Sequence, residues 1–137
     1  MGYAAAMKNS VAHFEIYTDD DDKLATFYTS LFDWNVHPMP GMNYSWVKTV
    51  ATNDKGMPTE PGGINGGMLK RPDGYTTRAW VNYVNVDSVD ASARRAQELG
   101  ATVTKPKAAV PNMGWFVMLL DPEGNPFALW QSDPNAK

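Results

Sequence analysis

Leu119-Leu120-Asp121-Pro122-Glu123-Gly124-Asn125-Pro126-Phe127-Ala128-Leu129-Trp130 joins two short apolar runs through a turn. On the left the run reaches back through Trp115-Phe116-Val117-Met118. In the turn, Pro122 presets φ, Asp121 and Asn125 can bond nearby backbone, and Gly124 accepts positive φ. The stretch reads as a β-hairpin, with strands at 113–120 and 127–131.

Outward from the hairpin, the chain bounds its own class. Its 137 residues make one domain, or two small modules sharing a core. At 43% hydrophobic it can bury that core. A net charge of −3, with no basic run, argues against nucleic acid and anionic membrane as partners. The absence of cysteine excludes disulfides, thiol catalysis and thiolate metal sites. No apolar run approaches the ~20 residues of a membrane span. Met1–Met7 lacks a charged segment followed by a long apolar one, so no signal peptide is expected and the location expected is cytoplasmic.

Residues 1–10 are small and polar and are expected to fray. Val11 to Tyr17 alternates strictly, with Ala12, Phe14 and Ile16 on one face and His13, Glu15 and Tyr17 on the other. That is a period-2 strand whose second face meets water or lines a pocket. Asp19-Asp20-Asp21-Asp22 suits a helix N-terminus. Leu24, Phe27, Tyr28, Leu31 and Phe32 then fall at helical spacing, predicting a helix over 22–32. Trp34–His37 and Met42–Val50 read as strands, the latter with Tyr44, Trp46 and Lys48 on one face.

Gly62 to Leu69 is glycine-dense but has neither dinucleotide-binding nor P-loop spacing. It predicts a strand near 64–69 with a cramped neighbour, either chain or ligand. Residues 71–78 suit a linker. After them a strand spans 79–86 and a helix spans 88–99, with Asp87 as N-cap and Gly100 past its end. A strand at 101–104 and the closing hairpin follow. The order is β-α-β-β-β twice, a repeat of pattern rather than of residues.

Several pieces in the correct order carry a family resemblance: His13-Phe-Glu-Ile, Phe27-Tyr28-Thr-Ser-Leu31-Phe32-Asp33-Trp34, Gly63-Ile-Asn-Gly-Gly-Met-Leu-Lys-Arg, Tyr83-Val-Asn-Val-Asp87, Glu98-Leu-Gly-Ala-Thr-Val and Asp121-Pro-Glu-Gly-Asn. Together they resemble the glyoxalase-like branch of the vicinal-oxygen-chelate superfamily, which includes glyoxalase I, extradiol dioxygenases and bleomycin-resistance proteins. The resemblance implies an α+β fold of two βαβββ modules, a curved mixed sheet around a cleft, and helices on the convex side. It makes residues 1–137 a single glyoxalase-like domain, with module one at about 10–70 and module two at about 78–132.

The resemblance also implies where a metal would sit. Metal-dependent members place four ligands in the cleft, two from each module. The first position falls on His13. The second falls near Gly66-Gly67-Met68, the third on Trp80 or Val81, and the fourth on Ala128, none of which has a donor side chain. A catalytic divalent ion needs about three protein ligands. No cofactor is therefore expected; a weak divalent site built on His13 with Glu15 is the alternative.

Two functional readings follow. One is a small-molecule binder of the bleomycin-resistance type, its cleft lined by Tyr17, Trp46, Met68, Tyr83, Trp115 and Trp130. Each of these is equally readable as an ordinary core aromatic or methionine. The other is a lyase, isomerase or dioxygenase-related enzyme using His13 and Glu15 as acid–base groups. His13 is alternatively a packed polar residue, and a structural or regulatory role is a third option. The sequence expects Glu15 to favour protonated His13, equipping the site for an anionic or carbonyl ligand. A homodimer is expected, paired within one chain or by module exchange.

Overall fold

The computed structural model describes residues 8–137, so the reading of Met1–Met7 lies outside the described residues. Ten elements run in the order β1 (Val11–Thr18), α1 (Asp21–Phe32), β2 (Asn35–Pro38), β3 (Tyr44–Lys48), β4 (Gly66–Lys70), β5 (Val81–Asn85), α2 (Val89–Glu98), β6 (Thr102–Val110), β7 (Gly114–Leu120) and β8 (Pro126–Ser132). The class is α+β, and the expected βαβββ order occurs twice. Two compact units divide the chain: His13–Trp80, and Val81–Lys137 together with the residues up to Ala12.

In the first unit the strands run β2-β3-β4-β1. β1 pairs in parallel with β4, while β3 pairs antiparallel with both β2 and β4. Phe14, Ile16, Val47 and Met68 form the buried core on the α1 side, with Leu24, Tyr28, Trp34, Val36 and Ile64 packed against it. Each such side chain contributes roughly 1.5–3 kcal/mol on burial.

α1 begins where the acids predict. The Asp20 side chain accepts from the Lys23 amide, and Asp33 closes the helix in the left-handed region. Its apolar stripe is only partly covered. Leu24 and Tyr28 pack inward, while Phe27, Leu31 and Phe32 remain more than half exposed.

In the second unit β5 pairs in parallel with β8, and β7 pairs antiparallel with β8 and β6. Val86, Val89, Ala93, Val117, Leu119 and Leu129 form its core. The closing hairpin forms as read. Asp121 Oδ1 accepts from the amides of Glu123 and Asn125, and Gly124 has φ +85°.

Three local expectations change. Ser88 rather than Asp87 caps α2, because its hydroxyl accepts from the Ala91 amide; Asp87 instead faces Lys8 in an exposed ion pair. β6 reaches Val110, well past the expected Thr104, since register shifts carry the strand across Pro106. Finally, residues 9 and 10 are held rather than frayed: the Asn9 amide donates to the Asn85 carbonyl and the Asn85 amide to the Ser10 carbonyl.

Candidate functional site

Alternation along β1 separates its side chains as the sequence predicts, yet both faces are covered. His13 is 1% exposed and Glu15 5% exposed. On this face, opposite α1, Glu15 stands beside Gly67 of β4, and Gly67 stands beside Trp46 of β3. A Cβ built on Gly67 would lie 1.8 Å from the Tyr44 hydroxyl oxygen. The missing side chain is therefore what lets Tyr44 lean across β4 towards β1.

The result is a convergence on one atom. His13 Nε2 lies 3.3 Å from Glu15 Oε2 and 3.2 Å from the Tyr44 hydroxyl oxygen. A lone pair facing a carboxylate is repulsive, so the proton of the neutral ring belongs on Nε2, donated to Glu15. Trp46 stands edge-on to His13, with ring centroids 6.3 Å apart, and edge-on to Tyr44 at 5.8 Å. Further along β1, the half-buried Tyr17 lies 4.7 Å from Tyr75.

Burial pushes the His13 imidazole below its usual range, against the opposing pull of Glu15. This corrects the expectation that the neighbouring carboxylate would favour protonation: loss of solvent outweighs one carboxylate. The same environment raises the Tyr17 phenol, first by burial and then by the charge of Glu15.

The remaining candidates divide between the faces of their sheets. In the second unit, Tyr83 and Trp130 lie opposite α2. Tyr83 pairs with Ala128 and sits 6.5 Å from Phe116, and the Trp130 indole donates to Ser132 Oγ at 3.1 Å. Met68 and Trp115 do not share this placement. Met68 lies in the α1-side core, and Trp115 packs against the α2-side core with its indole N–H on Asp133. Both were expected to line the ligand surface; strand parity puts them on the other face.

Tyr44, Tyr75 and Gly67 were not among the sequence candidates. The signal was partly there, because the glycine-dense stretch implied a cramped neighbour. For Gly67 that neighbour is the Tyr44 ring, and for Gly66 it is the Phe14 backbone and ring. Both are the chain's own groups.

The residues do not fit a four-ligand metal centre. The space beside Gly67 is filled by Tyr44, Trp80 stacks on Phe14 at 5.2 Å, Val81 is wholly buried, and Ala128 offers a buried methyl. Among the described residues, no group of three or more His, Asp or Glu side chains could hold a metal ion. Nor is any described helix long and apolar enough to cross a membrane.

Comparison with known proteins bears on this site. The family model described as "Glyoxalase-like domain" matches residues 13–130, from His13 to Trp130. "Putative glyoxylase CFP32" of Mycobacterium bovis is 29% identical over 124 residues, covering 87% of this chain. The same protein in Mycobacterium tuberculosis matches equally. The chain spans 44% of the length of these relatives.

Solved structures share the fold. A Streptomyces coelicolor methylmalonyl-CoA epimerase in complex with 2-nitronate-propionyl-CoA has a TM-score of 0.62 at 17% identity, covering 96% of this chain and 99% of that one. A glyoxalase/bleomycin resistance protein/dioxygenase superfamily member from Vibrio splendidus has a TM-score of 0.58 at 14% identity, covering 87% and 96%. The homoprotocatechuate 2,3-dioxygenase of Brevibacterium fuscum, in complex with 3,4-dihydroxyphenylacetate, has a TM-score of 0.61 at 20% identity, covering 92% and 37%.

Proposed function

Since the chain belongs to the glyoxalase-like domain family of the vicinal-oxygen-chelate superfamily, we propose that it is a small-molecule binding protein of that family. Its ligand sits against the His13–Glu15 face of the first unit, without a tightly bound metal. The carrying observation is the His13–Glu15–Tyr44 cluster, in which His13 and Glu15 are buried and Tyr44 is half-buried. Burying an imidazole and a carboxylate together costs free energy that a purely structural core does not need to spend. Aromatic walls around a few convergent polar groups are the common makeup of small-molecule sites. On this reading Tyr17 and Trp46 line the site within the first unit, while Tyr83 and Trp130 occupy the face opposite α2 in the second. Residues 1–137 act as one domain that forms a homodimer in the cytoplasm.

A second reading is favoured by the neutral imidazole within 3.3 Å of a carboxylate. Such a pair can move a proton, so His13 and Glu15 would serve a lyase, isomerase or dioxygenase-related enzyme. A thermal-shift screen of metabolites, coupled with elemental analysis, separates the two. The binder predicts one ligand per chain, no turnover, and loss of binding in His13→Gln and Glu15→Gln. One equivalent of transition metal, lost on His13→Ala, would replace the metal-free binder with a metal-assisted enzyme.

A further inference from the structure

We propose that the exposed apolar face of α1 is the surface on which a second copy of this chain docks, helix against helix across a two-fold axis. This rests on the reading of the protein as a homodimer and adds the surface that holds the two copies together.

The first argument is the contrast between the two helices. α1 and α2 hold equivalent places in the two βαβββ runs. α2 exposes Asp90, Arg94, Arg95 and Glu98, the ordinary outer face of a surface helix. α1 carries charge only in its first turn, at Asp21, Asp22 and Lys23; from Leu24 to Phe32 it carries none. No residue of α1 is fully buried. Phe27 is 55% exposed, Leu31 57% and Phe32 51%, and the neighbouring Trp80 is 40% exposed. Ring contacts join them into one patch, because Tyr28 lies 5.0 Å from Phe27, 6.4 Å from Phe32 and 5.9 Å from Trp80. Exposed aromatic rings in a charge-free surround are the composition of an interface core, not of a solvated surface.

The second argument is that this patch suits a copy of itself. At about 200 Å² for each large apolar side chain, the exposed fractions leave roughly 400 Å² uncovered. Two copies would hide roughly 800 Å², most of the apolar share of a standard interface of about 1,600 Å². Charge is complementary end to end. Lys23, Phe27 and Leu31 follow one another at four-residue spacing along one ridge of the helix. An antiparallel second copy, centred between Phe27 and Leu31, sets Phe27 of each copy on Leu31 of the other. It also brings Lys23 to the C-terminal end of the other helix, where a cation is favoured and where Asp33 forms the cap. Neither Lys23 nor Asp33 is in an ion pair among the described residues. Such self-complementarity is what a two-fold interface requires.

Sedimentation equilibrium of the whole chain tests this. The wild type is expected to be a dimer at micromolar concentration. Phe27→Lys and Leu31→Glu, both at exposed positions, should each raise the dimer dissociation constant about thirtyfold or more, the effect of losing a hot-spot contact. Circular dichroism of the two should match the wild type. Mixed in equal amounts, they should pair again, because the introduced charges then oppose each other at one contact while Phe27 meets Leu31 at the other. Lys23→Glu should weaken the dimer more at low salt than at high salt. Leu99→Lys, at the comparably exposed leucine that closes α2, should leave it intact. A dimer that survives both Phe27→Lys and Leu31→Glu would overturn the surface while leaving the homodimer standing, and failure of the mixed variants to pair would overturn the two-fold arrangement. A wild-type chain that stays monomeric at millimolar concentration would overturn both the surface and the homodimer.

Discussion

The Tyr44 hydroxyl occupies the space into which a side chain at Gly67 would grow, and from there it contacts the His13 ring. Two strands thus build one cluster across a third that contributes only backbone. The relationship is directly testable. Gly67→Ala should displace the Tyr44 ring and destabilise the fold by about 1–3 kcal/mol, the usual cost of overpacking. In a Tyr44→Ala background the same substitution should cost clearly less, measured as a coupling by urea denaturation. Equal costs in both backgrounds would refute the displacement. Gly66→Ala offers a contrast, since its added carbon meets the Phe14 carbonyl at 2.3 Å and backbone cannot step aside.

A pH dependence follows from His13. Its folded-state pKa lies below the unfolded value of 6.5, so the folded state binds fewer protons near that pH. The resulting stability is complete above pH 6.5 and is lost as the pH falls towards the folded value. Melting temperature should decline between about pH 7 and 5, and His13→Gln should flatten that slope. Asp19, held low by Arg78 and Arg71, and Asp121, held low by Asn125, contribute only in the more acidic carboxylate range.

The corrected cap of α2 is open to measurement. Ser88→Ala should cost about 0.5–2 kcal/mol through loss of its bond to the Ala91 amide. Asp87→Ala should change stability by less than about 0.5 kcal/mol, because its ion pair with Lys8 is exposed. Chemical denaturation of the two variants side by side decides it, and the reverse order would restore Asp87 as the cap.

Asp19-Asp20-Asp21-Asp22-Lys23 matches the recognition sequence of enteropeptidase, yet it is built into the fold. Asp19 binds Arg71 and Arg78, Asp20 caps α1, and Lys23 lies within the helix. Cutting after Lys23 under native conditions should therefore be slow and should accelerate with urea, followed by electrophoresis. Rapid native cutting would show the helix start to be mobile.

Much of the architecture could be read from local chemistry. The Asp121–Asn125 turn, the β1 alternation and the acidic start of α1 each depend on residues within a few positions of one another. Turn type, strand period and helix capping act over that range, so the two βαβββ units followed from order alone. The alternation also put His13 and Glu15 on one face. What it could not supply was the burial of that face. Two charged residue types in alternation suggest a solvated or pocket surface, and only packing made both nearly inaccessible. That burial reversed the expected protonation of His13, because desolvation depends on everything around the ring and not on its neighbour two residues away.

Tertiary structure alone decided three further matters. Tyr44 reaches His13 from 31 positions along the chain, through a gap that exists only once β4 lies between β1 and β3. Met68 and Trp115 read as lining residues, but strand pairing sets which way each points, and it pointed them into the helix-side cores. The α1 stripe predicted burial of five apolar residues, while only Leu24 and Tyr28 pack against the core of the first unit. Periodicity is encoded residue by residue, so sequence alone determined the elements and their order. The contents of the site depend on which strands become neighbours, and that is settled only when the chain closes on itself.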